Sequence, residues 1–194
     1  MEQNEIKNSK TYYPALYKED QRERLKEWWA LLHSDQFRGE RAKLRRCQLP
    51  QDVLTQQGFL RLGKRLPDWQ KYHLFGLATV AGILSHVKAE APLKDKAKTP
   101  LSFPEQLGIA KEGSDKPVFS ELRFQKLLAS SDAEEFYKSL HRAVKHAGEK
   151  ANPVLLADGI LHWYLEQNSP EKFQGQKSWK YRWANDYYNS KVFN

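Results

Sequence analysis

Residues 120–148 read SELRFQKLLASSDAEEFYKSLHRAVKHAG. Two helix starts are written into this stretch. Ser120 is placed to cap a helix over about 121–130. Ser131, with Glu134 three residues later, has the form of a capping box for a second helix. In that second helix Ala133, Phe136, Tyr137, Leu140, Ala143, Val144 and Ala147 recur at helical spacing and form one apolar stripe. Lys138, His141, Arg142 and Lys145 fall on the opposite side, and Gly148 ends the segment. A stripe of this width has to be covered by other elements, so the question becomes what the rest of the chain supplies.

Working outward, every strong period is helical. Asn152 and Pro153 start a helix in which Leu156, Ile160 and Trp163 fall at i, i+4 and i+7. Ser169 and Pro170 start the last helix, where Trp179, Trp183 and Tyr187 repeat at i+4. Upstream, Leu25, Trp28, Trp29 and Leu32 mark a helix from about Glu19 to His33. Asp35 is a candidate cap for a short helix over about 38–47. Pro50 opens another that reaches about Leu66. Residues 69–88, apolar on most sides, predict a central buried helix with Gly76 and Gly82 at points of close approach. No stretch alternates as a strand would, and no fixed repeat occurs. The expected fold class is all-α, with two small helical bundles joined by a Pro/Lys-rich linker. The division follows composition: a flexible N-terminal tail over 1–17 that docks near Tyr12, Tyr13 and Tyr17; a first lobe over 18–90; a linker over 91–118; a second lobe over 119–194. Pro92, Pro100, Pro104 and Pro117 punctuate the linker, with Lys88, Lys94, Lys96 and Lys98 crowded at its start and a short turn at Pro104–Leu107.

The 194 residues carry 32 Lys and Arg against 24 Asp and Glu, a net charge of +8. A sequence pI near 9.4 makes polyanions, nucleic acid first, the expected partners. Six Trp, nine Tyr and nine Phe are enough to build a core. The single cysteine, Cys47, excludes an intramolecular disulfide framework and a cysteine-rich zinc site. Leu74–Leu84 is the longest apolar run and is too short for a bilayer. The opening residues lack the pattern of a secretory signal, so the expected location is cytoplasmic, with no membrane partner.

Catalytic signals are weak. The six histidines are scattered, and neither HExxH, a Gly-rich phosphate loop nor a GxSxG elbow is present. Asp158 and His162 stand at i, i+4, a spacing that ordinarily makes a local pair. His141 and His146 fall on a polar helix face. Cys47 follows Arg45 and Arg46, but no base is placed beside it, so it reads as a small buried residue. The expectation is a non-enzyme with no catalytic residues, no metal and no cofactor.

Charge carries more information. Arg38, Arg41, Lys43, Arg45 and Arg46 crowd one short helix against Glu40 alone. Such a helix repels itself unless an anion is near. Four of its five cations are arginine, although lysine outnumbers arginine elsewhere, and the planar guanidinium suits phosphate. Arg123 and Lys126 share an edge of the next basic helix, and Arg142 and Lys145 an edge of the one after. If those two helices form a hairpin, Arg123 and Arg142 reach one groove. No aromatic is interleaved with these cations, which favours contacts along a phosphate backbone over base stacking.

The order of RAKLRR at 41–46, the 120–148 stretch, ILHWYL at 160–165 and WANDYY at 183–188 resembles the CasB family, the small subunit of the type I-E CRISPR complex Cascade. The resemblance covers roughly residues 20–190 and rests most on the LRF-x-x-LL element and the helix after it. It implies an all-helical, non-enzymatic subunit in antiviral defence. Its partners would be the helical backbone and large subunits of the complex, a second copy of itself, crRNA and target DNA. The displaced single strand of the R-loop would lie on a basic track. The positions that match the family's basic residues are Arg46, Arg123 and Arg142. Arg41, Lys43, Arg45, Lys126 and Lys145 join them on the charge argument. A basic cluster expected after the Trp163 helix is missing, and Lys172, Lys177 and Lys180 are its candidate replacements. Two other classes carry the same charge: a free-standing DNA- or RNA-binding protein, and a protein-interaction adaptor anchored by aromatics such as Trp28, Trp179 or Tyr188.

Overall fold

The computed structural model describes residues 12–94, 99–111 and 113–192, and these are all-α, with no strand among them. Eleven α-helices follow in order: α1 Glu19–Leu32, α2 Arg38–Arg46, α3 Pro50–Val53, α4 Gln57–Arg65, α5 Pro67–Tyr72, α6 Leu74–Leu84, α7 Phe103–Gly108, α8 Glu121–Leu128, α9 Ala133–His146, α10 Pro153–Asn168 and α11 Trp179–Val192. Single 3-10 turns at Asp35–Phe37, Pro170–Lys172 and Gly175–Lys177 lead into α2 and α11. Most of the expected N-terminal tail, together with Lys96 and Lys98, lies outside the described residues.

α6 is the hub. Every residue from Gly76 to Leu84 is buried, and the helix is enclosed by α3, α4 and α5 on the early side of the chain and by α9 and α10 on the late side. Gly82 is where the backbone of α6 meets the Tyr137 ring of α9: a Cβ there would lie 2.3 Å from the phenolic oxygen. Tyr137 in turn donates its hydroxyl to the Cys47 carbonyl, which ties α9 to the end of α2. The stripe read from the sequence is the buried face of α9, with Phe136, Tyr137, Leu140, Ala143 and Val144 all in the core. Phe136 stacks on Trp163 of α10 at 4.2 Å and meets Trp179 of α11 edge-on at 5.4 Å.

Several local readings shift. The cap of α9 is Asp132, whose carboxylate accepts the Glu135 N–H at 2.8 Å. The cap thus lies one residue later than Ser131 and Glu134 suggest, and the Glu135 carboxylate reaches back to the Ser131 N–H at 3.3 Å. Residues 50–66 are two helices, because Gln56 leaves the helical region. The break lets Gly58 approach Leu44 and accept the Trp28 indole N–H at 2.9 Å. Residues 69–88 break at His73 (φ −140°, ψ 50°). Before Trp179 the chain runs as 3-10 turns instead of a continuous helix from Ser169. In the Pro-rich region, Ser102 and Glu105 form a capping box for α7, whose Phe103 and Leu107 are buried and which packs on α11.

Residues 12–17 dock on α10. Asp158 accepts the backbone N–H groups of Ala15 at 2.9 Å and Leu16 at 2.6 Å. The sequence pairs Asp158 with His162, but each finds a different partner: the His162 Nε2 lies 3.1 Å from the Lys177 carbonyl oxygen. Burial pushes the Asp158 carboxyl up to about 6, against the two N–H donors that favour its charge. The same burial pushes His162 down to about 4.

Two outcomes follow from this packing. Leu140→Ala is expected to destabilise by about 2–5 kcal/mol, since the residue is fully buried; denaturant titration checks this, and a cost below about 1 kcal/mol would misplace the α9 face. Asp158→Asn keeps an oxygen for both N–H donors and removes the charge. Because the folded-state value is raised, the proton-linked stability of the parent is complete below about pH 4 and lost as pH rises through about 6. The Asn protein should therefore gain on the parent by about 2–3 kcal/mol between those limits. A gap that stays constant in paired melts across that range would contradict the desolvated carboxylate.

Candidate nucleic-acid interface

α2 is short and has one buried residue, Leu44. It is anchored by that leucine and by two of its arginines. Arg41 donates to the Leu32 carbonyl at 3.2 Å. Arg45 donates to Glu149 at 3.0 Å, across 104 residues of sequence. Both are half-buried, while Arg38, Lys43 and Arg46 are exposed. Glu40 is engaged elsewhere, by Arg61 of α4, through both carboxylate oxygens. The five-cation helix therefore divides: two guanidiniums bind the protein and three cations face solvent.

Glu149 follows Gly148 at the end of α9 and sits in the left-handed region, φ 58°. Its carboxylate takes Arg45 from α2 and Lys88 from beyond α6. Its carbonyl accepts the Lys88 N–H at 2.7 Å. This one acid ties together the ends of α2, α6 and α9. Beneath it, the rings of His86 and His141 lie 4.2 Å apart. Burial, then the charges of His141 and Arg45, push His86 down to about 3. Burial, then Lys145 and Arg45, lower His141 as well. His86 is neutral at pH 7. His86 Nδ1 and His141 Nε2 have no hydrogen-bond partner among the described residues. The helical period alone puts His141 on a polar face; its partner lies 55 residues away and leaves no mark in the local pattern.

α8 and α9 pack on each other. A depression of about 370 Å³ between them is lined by Lys126, Lys138 and Arg142 with Asp132, Glu134 and Glu135. Arg123 does not join Arg142 there; it lines a second depression with Lys111, Lys116 and Glu121. Lys138 is paired with Glu134 one turn away. Among the described residues no ion pair engages Lys43, Arg46, Arg123, Lys126, Arg142 or Lys145, and all six are exposed. Lys172, Lys177 and Lys180 are exposed too. Cys47 is buried against the Lys43 carbonyl, and burial pushes its thiol up. No group of three or more metal-binding side chains is assembled among the described residues, and no described helix is long and apolar enough to cross a membrane.

Replacing Glu149 tests its hold on this surface. Glu149→Gln should release Arg45 and Lys88, cost about 1 kcal/mol of stability, and delay elution from a heparin column to higher salt. Unchanged retention would mean that the two cations are not masked by Glu149.

A family model described as CRISPR-associated protein Cse2 matches residues 40–188, from within α2 to within α11. No curated protein and no solved structure matches the chain.

Proposed function

Because the chain belongs to the Cse2 family of CRISPR-associated proteins, the CasB small subunits of type I-E Cascade, we propose that it is a non-catalytic scaffold that holds the nucleic acid of an R-loop by phosphate contacts. The observation that carries this reading is a set of seven exposed cations on three helices that no ion pair engages among the described residues: Arg38, Lys43 and Arg46 on α2, Arg123 and Lys126 on α8, Arg142 and Lys145 on α9. Arg45 and Arg41 stand behind them, with their forks already committed to Glu149 and Leu32. The partners in this reading are the other Cascade subunits, a second copy, the crRNA and the target DNA with its displaced strand.

The energetics suit such a role. Exchanging a DNA duplex for a guide–target heteroduplex is close to balanced. A few phosphate contacts to the displaced strand therefore tip the exchange without reading sequence. Each contact releases counterions, so the hold weakens steeply with salt. Cations mounted on helices that root in one core are held in fixed relation before the strand arrives, which lowers the entropy cost of binding.

Replacing Arg46, Arg123 and Arg142 together with Ala is the test. These side chains are exposed, so the thermal midpoint should stay at that of the parent. In the assembled complex, protection of the displaced strand should weaken. The slope of log affinity against log salt should flatten by about 0.7–0.9 for each phosphate that is no longer neutralised. Full protection by the triple variant would remove these residues from the interface.

A further inference from the structure

A second feature of the surface lies outside these basic helices. Tyr17 and Tyr72 leave 69% and 64% of their surface to solvent. They come from separate segments, yet both line one depression of about 230 Å³. That is smaller than the roughly 300–1,000 Å³ of sites for drug-sized ligands, so it suits one flat group. Each ring carries its own ammonium: Lys18 Nζ lies 5.8 Å from the centroid of Tyr17, and Lys71 Nζ lies 4.9 Å from that of Tyr72. Asp68 is the one acid among the lining residues.

The walls are held. Beside Tyr17, the backbone of Ala15 and Leu16 is tied to Asp158, and Arg22 donates to the carbonyls of Leu16 and Tyr17 at 2.8 and 2.9 Å. On the other wall, Trp69 is buried and packs against His73 with ring centroids 5.0 Å apart. A desolvated carboxylate and a buried tryptophan thus fix backbone whose outward products are two exposed phenol rings, each with a lysine ammonium over it. An aryl face with a cation beside it is the arrangement on which single-stranded nucleic acid is held, bases on the rings and phosphates by the ammonium groups.

We propose that the depression between Tyr17 and Tyr72 is a base-stacking site for single-stranded nucleic acid. The inference rests on the nucleic-acid reading of α2, α8 and α9 and adds to it a site that recognises bases. Exposed Leu74 and Phe75 lie close in sequence to Tyr72, and contact with another protein through this patch is the competing outcome that the test separates.

The probe is oligothymidylate compared with an abasic oligodeoxynucleotide of the same length, which keeps the phosphates and lacks the rings. Fluorescence anisotropy at low salt is run on the full chain, on a Tyr17→Leu/Tyr72→Leu protein and on a Tyr17→Phe/Tyr72→Phe protein, with thermal midpoints matched. The parent should bind oligothymidylate about tenfold more tightly than the abasic strand. The Leu protein should lose that preference and keep its affinity for the abasic strand, and the Phe protein should retain the preference. Equal affinity of the parent for both strands would overturn the stacking site and leave the phosphate reading standing. Failure of the parent to bind either strand would overturn both. A Leu protein that keeps the preference but loses self-association in sedimentation would assign the patch to protein contact and overturn the proposal.

Discussion

An apolar helix with no wet side from Gly76 to Leu84 sets the terms for this molecule. α6 can satisfy its own backbone, but past its first two residues its side chains have to be enclosed from every direction. Two of its covering helices, α9 and α10, come from the second half of the sequence. The apolar cluster is consequently continuous from Leu25 of α1 to Tyr187 of α11. This enclosure also fixes where charge can go. α2 and α9 meet at the C-terminal end of α6, where a helix carries partial negative charge and cations are favoured. Lys88 lies there, and the charges of Arg45 and Lys145 reach His86, two residues beyond the helix.

The concentration of arginine on α2 has two physical uses. A helix that buries a single leucine has little hydrophobic hold on its neighbours, of order 2 kcal/mol for that side chain. Arg41 and Arg45 supply the rest of the anchoring, one to a carbonyl and one to a carboxylate. A lysine would make a poorer anchor at either point, since its point charge lacks the fork. The remaining cations of α2 gain nothing from intrahelical pairing. Glu40, the one acid in reach, is held by Arg61. Their charge therefore faces solvent, as does that of Arg123 and Lys126 on α8 and of Arg142 and Lys145 on α9.

What could be read from the sequence was what is written locally. The α9 stripe, the burial of the central run from Gly76 to Leu84 and the start at Pro153 each follow from spacing within one helix, and the family resemblance drawn from 41–46, 120–148, 160–165 and 183–188 agrees with the match over 40–188. Helix breaks were not legible. Gln56 and His73 leave the helical region because α4 and α6 pack in directions set by Leu44, Trp28 and the late helices, none of which shows in the local pattern. The cap at Asp132 was missed by one residue because Ser131–Glu134 and Asp132–Glu135 both fit the same spacing rule, and packing of the stripe selects between them. In the candidate site, spacing identified the exposed cations but not the half-buried state of Arg41 and Arg45. Their partners lie 9 and 104 residues away. Glu149 and the His86–His141 contact are long-range as well.

The same distinction explains why Asp158 misleads. At i, i+4 from a histidine it has the look of an acid–base pair, and burial does raise it toward neutrality. Yet both groups are perturbed by desolvation, not by each other, and each is aimed at backbone from a different segment. A raised carboxylate is useful in catalysis when it faces a substrate. Here its Oδ1 accepts two N–H groups of residues 15 and 16, so the cost of desolvating it is offset by order in the adjoining chain. That order extends to Tyr17 through Arg22, which spans the next turn. A buried acid in α10 thereby determines how firmly an exposed ring is presented at the surface, and the perturbed carboxyl is better understood as a structural support than as a reacting group.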